Sequence, residues 1–252
     1  IVQSTFKING VFNYEKLETA LNMLVKKYDV FRTIFSSKKS QRPRQVVLKE
    51  RTVQLGLEDL SHLTTEEADK YVANYRINDR QQRFNLSKDL LIRAIVLKTS
   101  DTHFYLVLSF HHIILDGWCV GLVSGELFYL YGLLLEDTPK EAIDKLLNDK
   151  NPYQRYIDWL SKQDQQTARN YWKEYLQGIE TPSVLPIKKQ SGEKIFTPGL
   201  HSFLIDKKLA GQIQSIASDL RITVNSFLQT CWGILLSKYN NLNDIVYGTV
   251  VS

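Results

Sequence analysis

Cysteine is scarce in this sequence, and its scarcity narrows the function first. Only Cys119 and Cys231 occur, without Cys-x-x-Cys spacing, so neither a disulfide framework nor a zinc site has support. Both are expected to be reduced thiols in the core. Uninterrupted apolar runs are also short: none approaches the roughly 18 residues of a membrane span, and no charged-then-apolar leader stands at the start. The expected setting is cytoplasmic, with no membrane partner. An excess of one charge is missing too. The net +5 is mild, and its densest cluster is Lys38, Lys39, Arg42 and Arg44 around Pro43. A solvated hairpin turn is the plain reading there, and a contact for an acidic partner is the other. No aromatic-rich basic strand accompanies the charge, which argues against nucleic acid.

What is present, 43% apolar and 23% charged residues among 252, is the balance of a globular protein with a sizeable core. The chain opens on Ile1, and Asp244 to Ser252 reads as a strand that has barely ended. A piece of a longer polypeptide is expected.

The hydrophobic pattern orders the elements. Leu17, Ala20, Leu21, Leu24, Val25 and Tyr28 form one stripe at helical spacing behind Asn13, a candidate N-cap. β-prone runs flank this helix at Val2 to Ile8 and Phe31 to Ser36, followed by Arg44 to Lys49 and Val53 to Leu57. Thr64 to Gln81 starts like a capping box and reads as a polar surface helix. Leu90 to Lys98 and Thr102 to Phe110 are apolar enough to be central strands covered on both faces. A buried helix is expected from Trp118 to Leu134, and helical stretches at Pro152 to Leu160 and Asp164 to Leu176. Composition then turns to Gly and Pro from Gly178 to Gly199, the mark of a linker. Beyond it are expected a strand at Leu200 to Ile205 and a helix from Lys207 to Leu220. A further helix runs from Thr223 to Tyr239, with Val224, Phe227, Leu228, Cys231 and Leu235 inward, before the final strand. The fold class is α/β (α+β).

His111 and His112 stand between a buried strand and a buried helix, with Asp116 and Gly117 just after them. Such connections are where scaffolds hold chemistry. Imidazole exchanges a proton near neutral pH, and a positioned general base contributes roughly a hundredfold to ten-thousandfold. Gly117 removes a side chain and lets a long substrate approach. From spacing alone, a hydrogen-bonded core histidine pair and a catalytic pair are equally open.

Ser109-Phe110-His111-His112-Ile113-Ile114-Leu115-Asp116-Gly117-Trp118-Cys119 resembles the signature of condensation domains of nonribosomal peptide synthetases, His-His-x-x-x-Asp-Gly followed by Trp. Lys27 to Phe35 is similar to that family's Arg-His-Glu-x-Leu-Arg-Thr-x-Phe. It keeps Arg32, Thr33 and Phe35 and departs at Lys27, Tyr28, Asp29 and Phe31. Phe84-Asn85-Leu86-Ser87 is similar to Phe-Asp-Leu-Ser. Tyr156 to Leu160 with Tyr171-Trp172 resembles the helical segment closing the first lobe, and Val246-Tyr247-Gly248-Thr249 the entry into the second. The family's first motif and its later second-lobe motifs are missing from the sequence.

The resemblance implies a chloramphenicol-acetyltransferase-like lobe with a mixed sheet and flanking helices, and the start of a similar second lobe, around a tunnel. It divides the chain into 1–178, a linker 179–199, and a truncated 200–252. The implied reaction is amide formation: an acceptor amine attacks the thioester of a donor, both tethered to phosphopantetheine on carrier proteins. The implied partners are the upstream and downstream carrier proteins and a neighbouring adenylation domain. The domain is expected to bind no cofactor and no metal of its own, and the isolated piece is expected to be inactive.

Within that scheme His112 is the catalytic candidate, an orienting acceptor and proton shuttle. His111 takes a structural hydrogen-bonding role, because adjacent side chains in an extended segment point to opposite sides. Asp116 is expected to be structural, in a partly buried ion pair with Arg32 that fixes the turn carrying His112. Trp118 is expected to pack, and Trp159, Trp172 and Trp232 to lie on apolar helical faces. An epimerization domain is disfavoured by Trp118 after Gly117, and a heterocyclization domain by the intact histidine pair. A silent docking module remains the reading from another class.

Overall fold

The structure, a computed structural model, describes residues 1–36, 43–148, 152–179, 183–185 and 201–249. Lys38, Lys39 and Arg42 of the basic cluster, and most of the expected linker, lie outside the described residues. The chain divides into two compact units, Ile1–Gln163 and Asp164–Ser252. This division precedes the 178/179 boundary that composition and the resemblance together suggest, and groups the helix after Asp164 with the later ones. Composition changes at Gly178, whereas packing changes at the turn before Asp164.

The first unit is built on a mixed four-stranded sheet in the order β1-β6-β5-β4, from β1 (Val2–Asn9), β4 (Leu55–Asp59), β5 (Ile92–Lys98) and β6 (His103–Phe110). β6 pairs antiparallel with β1 and β5, and β4 runs parallel to β5. β2 (Thr33–Ser36) and β3 (Arg44–Val47) form a separate antiparallel pair. A 3-10 turn over Asp29–Arg32 takes the start of the strand expected from Phe31.

Strand period two gives the sheet two apolar faces. Ile92, Ala94 and Val96 of β5 and Phe104, Leu106, Leu108 and Phe110 of β6 join one core. Leu97 and Val107 face the other way, with Leu60 and Val72. The first face is covered by α1 (Tyr14–Lys27) and α3 (Gly117–Leu135), the second by α2 (Thr65–Gln81). Asn13 caps α1 by accepting from the Lys16 N–H, and Leu17, Ala20, Leu21, Leu24 and Val25 are buried. Thr64 and Glu67 complete a reciprocal capping box on α2. Both starts were legible because the orphan N–H groups of a first turn require such acceptors.

α3 is 19 residues long. Among the described residues it alone is long and apolar enough to cross a membrane by length and composition, a test that core helices also pass. It buries Leu127, Leu130 and Tyr131, and Glu126 in its middle is bonded to α1's Lys27 and to Tyr28. Trp118 does not pack as expected. It is 73% exposed, because it lies in the first turn of α3, ahead of the stretch that meets α1.

α4 (Lys140–Asn148), which periodicity did not single out, buries Ile143 and Leu147, and α5 (Tyr153–Ser161) closes the unit. The second unit contains α6 (Gln165–Tyr175), α7 (Lys207–Asp219) and α8 (Val224–Asn240). No strand forms at 201–205 or 244–249: neither segment has a ladder neighbour among the described residues, and strand backbone needs one. Val224, Leu228, Cys231 and Leu235 of α8, expected inward, are exposed, while Leu236 is buried. Trp159, Trp172 and Trp232 are exposed as well, since no described element covers those faces.

Candidate functional site

The site grows out of the end of β6. After Phe110, His111 keeps one more ladder bond, its N–H donating to Leu91 O at 3.0 Å, and then the chain turns. The Ile114 N–H donates back to His111 O at 3.1 Å. Ile114 and Leu115 are buried and pin the turn to the core, leaving His112 and Ile113 exposed between two fixed points. Asp116 then caps α3, its carboxylate accepting the Cys119 N–H at 2.8 Å.

The two histidines are held differently. His111 is half-buried, and its Nδ1 accepts the Ile113 N–H at 3.0 Å, which places the proton of the neutral ring on Nε2. Its ring stands edge-on to Phe84 at 6.4 Å. Burial depresses its pKa first, and the positive charges of the Ile1 amino group and His112 add to the effect. His112 makes no hydrogen bond with any described residue and lines a cavity of about 560 Å³.

That cavity is walled by Tyr28 to Phe31, by Leu122 and Val123 of α3, by Gln45, and by Pro152 and Tyr153 at the start of α5. Asp116 and Cys119 also line it. Hydrogen bonds from Cys119 hold the Asp116 carboxyl below its ordinary value, whereas burial raises the Cys119 thiol. Lys27 and the Tyr28 hydroxyl both donate to Glu126, which ties that part of the wall to α3. Apart from its chain neighbours and the backbone of its own helix, no described atom lies within 4 Å of the place a Cβ at Gly117 would take. The protein's own packing therefore does not demand glycine there.

The expected Arg32–Asp116 ion pair does not form. Arg32 pairs with Asp29. Its guanidinium also donates to Val25 O at 3.0 Å, Leu48 O at 2.7 Å and Lys49 O at 3.2 Å. These carbonyls, Lys26 O and Asp29 use up its donor fork, while Asp116 meets its demand at the helix start. The structure thus brings His111, His112, Asp116, Gly117 and Cys119 together and sets Arg32 in a separate bracing role. Sequence reasoning passed over Glu126 and Tyr153. A single carboxylate inside an apolar 19-residue helix was a usable signal for Glu126, since such a charge needs a partner.

Among the described residues no cluster of three or more histidine, cysteine or carboxylate side chains could hold a metal. The chain is similar over 100% of its length to Gramicidin S synthase 2 of Brevibacillus brevis, 40% identical over 253 residues that make up 6% of that protein. Tyrocidine synthase 2 of Brevibacillus parabrevis is 37% identical over 252 residues, again 100% of this chain and 7% of that one. The chain therefore spans a small fraction of the curated relatives it matches. Among solved structures, the SgcC5 protein from Streptomyces globisporus aligns at a TM-score of 0.74, 17% identical over 97% of this chain and 55% of that one. VibH, a condensation enzyme of a nonribosomal peptide synthetase, aligns at 0.66, 19% identical, over 94% of this chain and 53% of that one. These structures carry the fold, a chloramphenicol-acetyltransferase-like lobe of mixed sheet and flanking helices. The condensation domain model matches residues 1–252, and the chain belongs to the condensation domain family of nonribosomal peptide synthetases.

Proposed function

We propose that this chain supplies the histidine-bearing part of a cytoplasmic condensation domain that joins two carrier-tethered thioesters. The acceptor's amine attacks the donor's thioester carbonyl, a C–N bond forms, the C–S bond breaks, and the nitrogen's surplus proton ends on the departing thiolate. Donor and acceptor arrive on phosphopantetheine arms of upstream and downstream carrier proteins, and an adenylation domain of the same polypeptide selects the acceptor. The two unpaired cysteines agree with a reducing compartment.

One observation carries the reading: His112 faces the cavity with its ring uncommitted, while its neighbour is committed to the backbone. An α-amine titrates at about 7.7 to 8.0, so a good part of it is neutral near physiological pH and needs no strong base. His112 therefore acts as an oriented acceptor for the proton of the tetrahedral intermediate, with much of the rate coming from alignment of the two substrates. The open space beside Gly117 gives a pantetheine arm room to pass.

The test is single-turnover condensation by the full-length synthetase with both carrier proteins loaded. His112→Ala should lower the rate by about a hundredfold or more with folding intact. A near-normal rate would remove His112 from the reaction and favour the silent docking module. Inverted donor stereochemistry without dipeptide would identify an epimerization domain.

A further inference from the structure

A row of three cross-strand partners lies on the α2 face of the sheet. Gln3 of β1 and Arg93 of β5 each stand opposite Ser109 of β6. All three turn to one carboxylate, Asp79 on α2, which is 3% exposed. Gln3 Nε2 donates to it at 2.8 Å, Arg93 Nε at 3.0 Å, and the Ser109 hydroxyl also donates. The other arm of the guanidinium donates to Asp79 O at 2.9 Å and Gln82 O at 3.0 Å. Arg93 is therefore held at Nε and at one terminal nitrogen. Its guanidinium covers the face of Phe84, with 4.1 Å between the guanidinium carbon and the ring centroid. Phe84 in turn meets the edge of His111, whose Nδ1 holds the Ile113 N–H.

We propose that Arg93, clamped by Asp79 and acting through Phe84, is a positioning residue for condensation: it seats His111 in the orientation that fixes the His111–Ile113 turn and so aims His112. The proposal rests on His112 being the reacting histidine. Arg93 does not line the cavity. A guanidinium packs on an aromatic face by both charge and planarity, and an aromatic ring meets a second ring edge-on. The chain of contacts is rigid where it starts, in a buried and fully bonded carboxylate, and it ends on a backbone N–H of the functional turn. The groups whose charge acts on His111 are His112 beside it and the Ile1 amino group just before β1. Arg93 and Asp79 stand behind Phe84.

The experiment is single-turnover condensation by the full-length synthetase across a pH series, with carrier-protein affinity measured in parallel. Phe84→Leu keeps bulk and leaves the Asp79–Arg93 clamp whole but removes the ring that links it to His111. The expected result is a rate loss of about tenfold, as misplacement of a catalytic group produces, with unchanged carrier affinity and thermal midpoint. The acidic limb of the profile should move to higher pH, since an imidazole better exposed to water protonates more readily. Phe84→Tyr should restore both readouts, and Arg93→Lys, which keeps the charge but not the plane, should fall between. An unchanged rate and acid limb in Phe84→Leu would overturn the proposal. So would a rate loss matched by falls in stability and carrier affinity, or a Tyr variant no better than Leu. His112→Ala in the same assay separates the two readings: if it retains activity, the assignment of His112 fails, whatever Phe84→Leu does.

Discussion

The Asp116 carboxylate accepts the Cys119 N–H at 2.8 Å, so the acid of the His-His-x-x-x-Asp-Gly motif is the N-cap of the helix that follows it. Its hydrogen bonds run forward into α3, not across to Arg32. An N-cap acceptor satisfies one of the orphan N–H groups of the first turn. Asp116→Asn should keep the cap and lower the thermal midpoint little. Asp116→Ala should lower it by a few degrees and reduce the condensation rate, because the turn carrying His112 loses its downstream anchor. An inactive but fully stable Asn variant would instead make the carboxylate a participant in the chemistry.

Arg32 braces a different joint. Its side chain is 11% exposed and ties the end of α1 to the segment after β3 through the carbonyls of Val25, Leu48 and Lys49. Arg32→Ala strands these carbonyls and should destabilise the domain by about 2 to 4 kcal/mol. Lysine, a point donor, should rescue little of it. Because Arg32 and Asp116 share no partner, the double alanine variant should lose the sum of the single losses. Denaturant titration of the four proteins checks this, and a coupling well above about 0.5 kcal/mol would show a shared network.

Glu126 receives both Lys27 and the Tyr28 hydroxyl, in an ion pair whose side chains are 13% and 20% exposed. Removing one member of so covered a pair leaves the other charge poorly solvated. Glu126→Leu should cost about 1 to 3 kcal/mol and loosen the cavity wall formed by Lys27 and Tyr28. Glu126→Gln should retain the Tyr28 bond and much of the stability. Equilibrium unfolding of the two variants gives the comparison.

The parts of this fold that could be read from the sequence are those whose causes are local. Asn13 and Thr64 announced their helices because a cap is a matter of a few adjacent residues, and β5 and β6 announced themselves by apolar content on both faces. The turn carrying His112 was located because the motif lies between two such elements. What stayed hidden depends on distant pairing. The partner of Arg32 was assigned by resemblance to Asp116, when Asp29 and three carbonyls stood nearer. The inward face of α8 was correctly apolar, yet its residues are exposed, since periodicity gives a face and not what covers it. Asp79 was invisible in a polar helix until the strand register set Gln3, Ser109 and Arg93 around it.

His111 sets the acid behaviour of the site. Burial holds its folded pKa below the ordinary 6.5, so between these two values the unfolded chain binds a proton that the folded chain does not. Stability then rises with pH through that window. The His111 contribution is complete above about 6.5 and is lost as the pH falls towards the folded value. Protonation also turns Nδ1 from an acceptor into a donor facing the Ile113 N–H, so the turn should open as stability falls. Asp116 adds a second loss at lower pH. Its folded pKa lies below 3.8, so its contribution is present above that value and disappears as the pH drops through the depressed one. Unfolding midpoints measured from pH 8 to pH 3 should therefore fall in two stages. His111→Gln should flatten the first stage, and Asp116→Asn should shrink the second, which Asp59, Glu67 and Asp164, also held below their ordinary values, share. A wild-type midpoint that stays level between about pH 7 and pH 5 would show that His111 is not held neutral by its surroundings.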